Sequence, residues 1–292
     1  MEKNLTELRE HIRAVEQTRQ ITNAMYLLSA AQMKRIMPHI DYNREYFNRI
    51  RSAVKDILSR TGAVDNTYLT ARPIKRAGYL VIASDKGMAG PYNHNLLEFA
   101  WKKMQQYTPP GAEMRIATIG LHASDFFVKK GLPPEREYLG MAQNPSMENA
   151  RMLRDELFAL YDSGQVDEIT MLYTRFISSA VQYPRAVRLL PLSVHDYQNI
   201  TVEYEYDLDM IYHPSPEVVF SELVPQYVVG LLYGAMAQSF ASEHCSRMNA
   251  MQSATRNADD LIKRLQHAYN GARQLRITQE LTETVASSLI HQ

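Results

Sequence analysis

The sequence reads as an α/β protein in which a small α/β domain is inserted between two very long terminal helices. Three features of the 292-residue chain point there. Residues 5–58 contain no glycine and carry apolar side chains at three- and four-residue spacing. Residues 216–290 keep a similar spacing over a longer stretch. Between them, short apolar runs alternate with helical stretches.

In the first zone Leu5, Leu8, Ile12 and Val15, then Ile21, Met25 and Leu28, fall on one stripe of a helix. Asn4 and Thr6 are both placed to cap its start. Pro38 predicts a kink or break, because proline removes a backbone donor and clashes with the preceding turn. In the last zone Ala254, Ala258, Leu261, Leu265, Ala268, Ala272 and Leu275 follow alternating gaps of four and three, a heptad seam whose alanines admit a close partner. Beyond it the stripe shifts to Ile277, Leu281, Val285 and Leu289. At ~1.5 Å per residue such a helix would exceed roughly 100 Å, far more than a small domain needs. Two such helices have one obvious partner, each other, and antiparallel pairing would make them a rod.

The central runs Ala77-Gly-Tyr-Leu-Val-Ile-Ala-Ser84, Arg115-Ile-Ala-Thr-Ile-Gly120 and Glu168-Ile-Thr-Met-Leu-Tyr173 read as buried strands. Helical stretches at 93–107, 123–130 and 147–163 separate them, which predicts crossovers and a largely parallel sheet. Residues 186–192 add a strand, with Pro191 placing its end at an edge. The zones are therefore 1–58, 72–210 and 216–290.

Composition excludes several classes. Lys+Arg and Asp+Glu each number 32, so a general basic field for nucleic acid is not indicated. The single cysteine, Cys245, forms no internal disulfide and marks no cysteine metal site. The polar, charged start gives no signal peptide. The most apolar stretch, residues 218–240, is broken by Glu222, Pro225, Gln226 and Gln238 and predicts no membrane span.

Chemistry is sparse. The turn after the first strand holds Asp85, Lys86, Gly87 and Gly90 ahead of a helix, the ingredients of a phosphate cradle. Its spacing is neither G-x-G-x-x-G nor that of a P-loop, and Pro91 removes a donor, so a structural turn is the preferred reading. The nine histidines are scattered, which gives no metal site. Asp207 and Asp209 favour a turn over a carboxylate pair, and Ser84, Asp85 and Lys86 nominate no catalytic partner. No cofactor is implied. By periodicity Arg9, Arg13, Lys34, Arg35, Arg273, Gln274 and Arg276 belong to solvent.

At both ends the residues then resemble a known family. Ile12, Arg13, Val15, Thr18, Ile21, Thr22, Ala24 and Met25, followed by Leu28-Ser29-Ala30-Ala31 and Met33, resemble the N-terminal helix of F-type ATP synthase gamma subunits. Glu243, His244, Arg247, Met248 and the run from Asn270 through Ala272-Arg273-Gln274 to Ile277-Thr278-Gln279-Glu280-Leu281-Thr282-Glu283 resemble its C-terminal helix. The turn Ser84-Asp85-Lys86-Gly87, with Gly90, Tyr92, Asn93 and Asn95, is similar to the family's loop after its first strand. The likeness spans nearly the whole chain in the family's order.

The resemblance implies a coiled coil of the two termini with a Rossmann-like domain that carries no nucleotide. It implies a rotating central stalk with no catalytic site of its own, coupling ion flow to ATP synthesis or hydrolysis. The implied partners are the alpha and beta subunits, the epsilon subunit and the membrane c-ring, at the cytoplasmic face of the inner membrane in a bacterium. Met25, Arg273, Gln274, Thr278, Glu280 and Glu283 match positions that contact the ring or act in coupling. The alternatives are a gamma-like coiled-coil adaptor without a rotary role, and an enzyme that uses the central domain. Departures from the family pattern are Ala89-Gly90-Pro91 in place of Cys-Gly-Gly, Thr284, Ala286-Ser287-Ser288 and the end at Ile290-His291-Gln292.

Overall fold

The computed structural model describes residues 2–61, 66–192 and 212–290. Asp207, Asp209 and the last two residues of the C-terminal tip lie outside them. Its backbone contacts divide the chain into two units, Gln32–Ser246 and the pair Met1–Ala31 with Arg247–Gln292. The first helix, α1 (Glu2–Thr61), and the last, α5 (Pro216–Ile290), contribute to both.

In the Gln32–Ser246 unit, β1 (Arg76–Ile82), β2 (Glu113–Ile119), β3 (Arg136–Tyr138), β4 (Glu168–Phe176) and β5 (Gln182–Leu190) form one sheet in the order β3-β2-β1-β4-β5. The first four strands are parallel, and β5 returns antiparallel along β4. Alternation along β1 divides the core. Ala77, Tyr79 and Val81 point to α2 (Tyr92–Tyr107) and α3 (Leu121–Lys129), where Leu96, Ala100, Met104 and Phe127 are buried. Leu80 and Ile82 point to the other face, to α4 (Met147–Asp162) and to Ile50, Val54 and Ile57 of α1 and Phe220, Val224 and Leu232 of α5. A strand buried on both sides needs a continuous apolar run, which is how the sequence reads there.

Local signals fit this arrangement. Ser146 Oγ accepts from the Asn149 amide at 3.1 Å and caps α4. Asp167 Oδ2 accepts from both the Lys75 and Arg76 amides at 2.9 Å, which fixes the entry into β1. Three details depart from expectation. β3, only three residues of charged and aromatic character, carries no strand signal in the sequence. β5 begins at Gln182, earlier than its apolar run, and its edge position tolerates the internal Pro184. Neither Asn4 nor Thr6 caps α1, because the helix already runs from Glu2.

Pro38 does not break α1, which continues through it. The residue is exposed, so the carbonyl that loses its donor one turn earlier can be hydrated while both flanks remain helical. In the same unit α5 passes very close to α1 at two glycines. A side chain at Gly234 would come within 2.6 Å of Asn43 Nδ2, and one at Gly230 within 3.3 Å of Phe47. Asn43 Nδ2 donates to the Gly230 carbonyl at 3.2 Å, and Phe47 stacks on Tyr227 at 4.9 Å. By length and composition α5 holds a segment apolar enough to cross a membrane, but 56% of that window is buried inside the protein. The apolar residues are core.

In the other unit the two helices run antiparallel, with Arg19 paired to Asp259 and Thr22 to Thr255. The seam predicted on α5 is half right. Ala258, Leu265 and Ala272 lie on the inward stripe, and Ala254 and Leu261 are half-buried beside Thr255 and Ile262, but Ala268 and Leu275 are exposed and Tyr269 and Arg276 take their layers. On α1, Leu5, Leu8, Ile12 and Val15 are half-buried as expected, whereas Ile21 and Leu28 face outward and Thr22 and Ser29 take the buried positions. At these two levels periodicity alone chose the apolar residue, and the helix pair buried the small polar one beside it.

Gly120 ends β2 with φ of 92°, and a side chain there would stand 2.4 Å from the Ala83 carbonyl oxygen. Gly120→Ala is expected to destabilise the chain by about 2–4 kcal/mol through positive-φ strain and overpacking, measured by denaturant unfolding.

Candidate partner-contact surfaces

In a doubly wound sheet, ligands bind beyond the carboxyl ends of the strands where the strand order reverses, here between β1 and β4. The loop carrying Asp85, Lys86, Gly87 and Gly90 sits at that point. Its residues are tied into structure. Ser84 Oγ and amide bond Asn93 at 2.7–3.2 Å, and Ser84 Oγ donates to the Lys86 carbonyl at 2.8 Å. Asp85 Oδ1 accepts from the Leu121 amide at 3.2 Å, at the start of α3. Gly90 takes φ of 55° and Met88, unusually for a side-chain-bearing residue, 60°.

Helix α5 covers the same crevice. Ser246 Oγ donates to the Ala89 carbonyl at 2.7 Å, Ser242 Oγ to the Thr174 carbonyl and Cys245 Sγ to the Ser179 carbonyl, both at 3.5 Å. Where a doubly wound enzyme holds a nucleotide, this chain places its own helix. These bonds seat α5 against the loop after β1 and the end of β4.

The surface of the Met1–Ala31 and Arg247–Gln292 unit has the opposite character. Its interior is partly polar. Thr22 and Thr255 hydroxyls meet at 2.8 Å, so one donates to the other, and the second is left free to donate to a carbonyl of its own helix, Arg19 at 3.0 Å or Met251 at 2.9 Å. Ser29 is buried. Its exterior is partly apolar: on α1 Ile21, Leu27 and Leu28, and on α5 Leu275, Ile277, Leu281 and Val285, are all exposed, Ile21 and Leu281 by about three-fifths. Single exposed apolar residues are ordinary; here Ile21, Leu27, Leu28 and Leu275 face away from the seam, while the register that sets Thr22 against Thr255 leaves Leu281 and Val285 beyond the start of α1.

The residues singled out by the family likeness border this apolar exterior. Met25 is half-buried, one turn from both Ile21 and Leu28. Arg273, Gln274, Thr278 and Glu280 are exposed. At 3.6 residues per turn, Gln274, Thr278 and Leu281 share the face turned from the seam, with Arg273 and Glu280 nearer the seam. Thr278 Oγ1 returns to the Gln274 carbonyl at 3.0 Å, so its hydroxyl is satisfied and its methyl is available for contact. Glu280 pairs with Arg276 at 2.7 Å. Glu283 is a helical position whose side chain lies outside the described residues. Sequence reasoning missed the outward turn of Ile21 and Leu28; polar Thr22 and Ser29 at heptad spacing were the available signal.

A family model described as ATP synthase matches residues 4–288. The ATP synthase gamma chain of Caldanaerobacter subterraneus subsp. tengcongensis is 37% identical over 96% of this chain and 97% of its own length. That of Acetivibrio thermocellus is 37% identical over 98% of both. Among solved structures, a chain in the OSCP/F1/c-ring of Euglena gracilis mitochondrial ATP synthase superposes with a TM-score of 0.67 over 98% of this chain and 94% of that one, at 17% identity, a likeness of fold.

Replacing Thr22 and Thr255 together by valine removes both hydroxyls and orphans neither. The double variant is expected to melt within about 1 kcal/mol of the parent, or above it, in thermal denaturation.

Proposed function

This chain belongs to the ATP synthase gamma-chain family, and we propose that it is the rotating central stalk that couples ion flow to ATP synthesis or hydrolysis. The observation that carries the reading is the exposed apolar exterior of the Met1–Ala31 and Arg247–Gln292 helix pair. Water is a poor neighbour for Ile21, Leu28, Leu281 and Val285, whereas a protein sleeve around the helices would bury them. A ring of alpha and beta subunits has that form.

In this reading the stalk does no covalent chemistry. An asymmetric helix pair contacts each subunit of a ring differently, so each orientation favours a different set of subunit conformations. Turning the pair then shifts those conformations, and shifting them turns the pair, since coupling requires only differential contact with the states. Met25, Arg273, Gln274, Thr278, Glu280 and Glu283 are the proposed contact residues. Arg273 supplies a fork of donors with no ion pair among the described residues, suited to a carboxylate or carbonyl on the ring. The epsilon subunit and the c-ring are the proposed partners of the α/β domain, which would place the chain on the cytoplasmic face of a bacterial inner membrane.

Two variants test this. Ile21→Asp with Leu28→Asp changes only exposed positions, so the isolated chain should keep its helical circular dichroism. Recovery of alpha and beta subunits in native co-purification should drop at least tenfold. Full recovery would sink the reading and favour a free-standing adaptor. In assembled membranes, Met25→Lys introduces a cation beside the ring and is expected to lower ATP synthesis per ion translocated while hydrolysis persists. Equal ion-pumping efficiency in variant and parent would count against Met25 as a coupling residue.

A further inference from the structure

Within the Gln32–Ser246 unit a cleft of about 1000 Å³ lies between the β4–β5 edge of the sheet and helices α1 and α5. Five arginines line it, Arg44, Arg51, Arg175, Arg185 and Arg188, against one carboxylate, Glu168. Two are neutralised locally. Arg188 lies 3.7 Å from Glu168, and Arg44 lies 2.8 Å from Asp41 on its own helix. Arg51, Arg175 and Arg185 have no carboxylate partner among the described residues.

These three cations converge. The β4–β5 register sets Tyr173 opposite Arg185 and Arg175 opposite Tyr183, so residues 173, 175 and 185 share one face of the sheet. That face also packs α1 and α5, and Arg51 reaches the cleft from α1. The Tyr173 hydroxyl lies among them. Burial pushes its pKa up, while the charges of Arg185 and Arg175 oppose that rise. Other arginines of the chain do hold carboxylates, as Arg49 holds Glu45 and Arg136 holds Glu156. Three unpaired guanidiniums in a concave wall repel one another, and a cleft lined by one sign concentrates the field on any anion that enters.

We propose that this cleft binds an oligophosphate, two or more linked phosphates, held by Arg51, Arg175 and Arg185 with the Tyr173 hydroxyl as a neutral donor. The guanidinium fork matches phosphate oxygens in pairs. Three cations balance the charge of a di- or triphosphate better than that of a single carboxylate. The volume stands at the upper end for small-molecule sites and leaves room for an attached nucleoside. The oligophosphate is therefore either free or the tail of a nucleotide. The site is separate from the loop after β1, which α5 covers, and it does not depend on the rotary reading.

The test is equilibrium dialysis of the full-length chain, alone, against inorganic triphosphate, ATP and AMP at low and moderate salt. Saturable binding of triphosphate that weakens with salt is expected, with AMP weaker by at least tenfold. ATP binding tenfold or more tighter than triphosphate assigns the site to nucleotides; equal affinities assign it to free oligophosphate. Arg185→Gln and Arg51→Gln should each weaken binding roughly tenfold or more. Arg136→Gln, at an ion pair on β3, should leave it unchanged, and circular dichroism should show all three variants folded. No saturable binding at millimolar triphosphate overturns the proposal. So does equal weakening by Arg136→Gln, or binding of a glutamate-rich peptide without binding of triphosphate.

Discussion

The close packing of α5 against both α1 and the sheet is the constraint on which the Gln32–Ser246 unit rests. Gly230 and Gly234 make room for the Phe47 and Asn43 side chains of α1, and twelve residues further on Ser242 and Ser246 bind the carbonyls at the carboxyl ends of β4 and of the loop after β1. One helix thus serves as the core of a helix pair and as the cover of a crevice. Because both contacts involve backbone groups, they tolerate little change in distance. The small residues at these positions follow from that: each marks a place where a longer side chain would displace the group packed against it.

The same helix changes character after Ser246. Its earlier part buries Leu232, Met236 and Phe240, while the later part carries Leu275, Leu281 and Val285 outward. The reversal has a physical meaning. A helix pair that must stand alone in water puts leucine in its seam and charge outside. Here Thr22, Thr255 and Ser29 interrupt a seam that elsewhere holds Leu8, Ile12, Val15 and Leu265, and Ile21 and Leu28 face outward at the same level, which suits helices whose outer face meets other protein. The hydrogen-bonded threonines and the Arg19 pair with Asp259 also fix which residues face each other, a matter of register more than of strength.

Much of the fold was legible in the sequence because its signals were strong and local. The apolar runs of β1, β2 and β4 and the glycine-free first helix required no tertiary information. What escaped depended on neighbours. β3 is a strand only because it pairs with β2, and its own residues give no hint of it. The true seam escaped because apolar periodicity cannot distinguish a face turned to a helix from one turned to an outside partner; Ile21, Met25 and Leu28 satisfy it either way. The contact residues came from family likeness alone, since polar side chains at Arg273, Gln274 and Thr278 look the same on a solvated helix as on an interface.

Asn43 fits against the notch left by Gly230 and Gly234 much as a key fits a keyway. Smooth helices under torque can slip past one another and dissipate the applied work as sliding. A side chain seated in a glycine notch and hydrogen-bonded to the backbone resists that slip, so twist applied to one helix is carried by the other. In a turning machine, this pair of glycines would keep α1 and α5 in step within the Gln32–Ser246 unit.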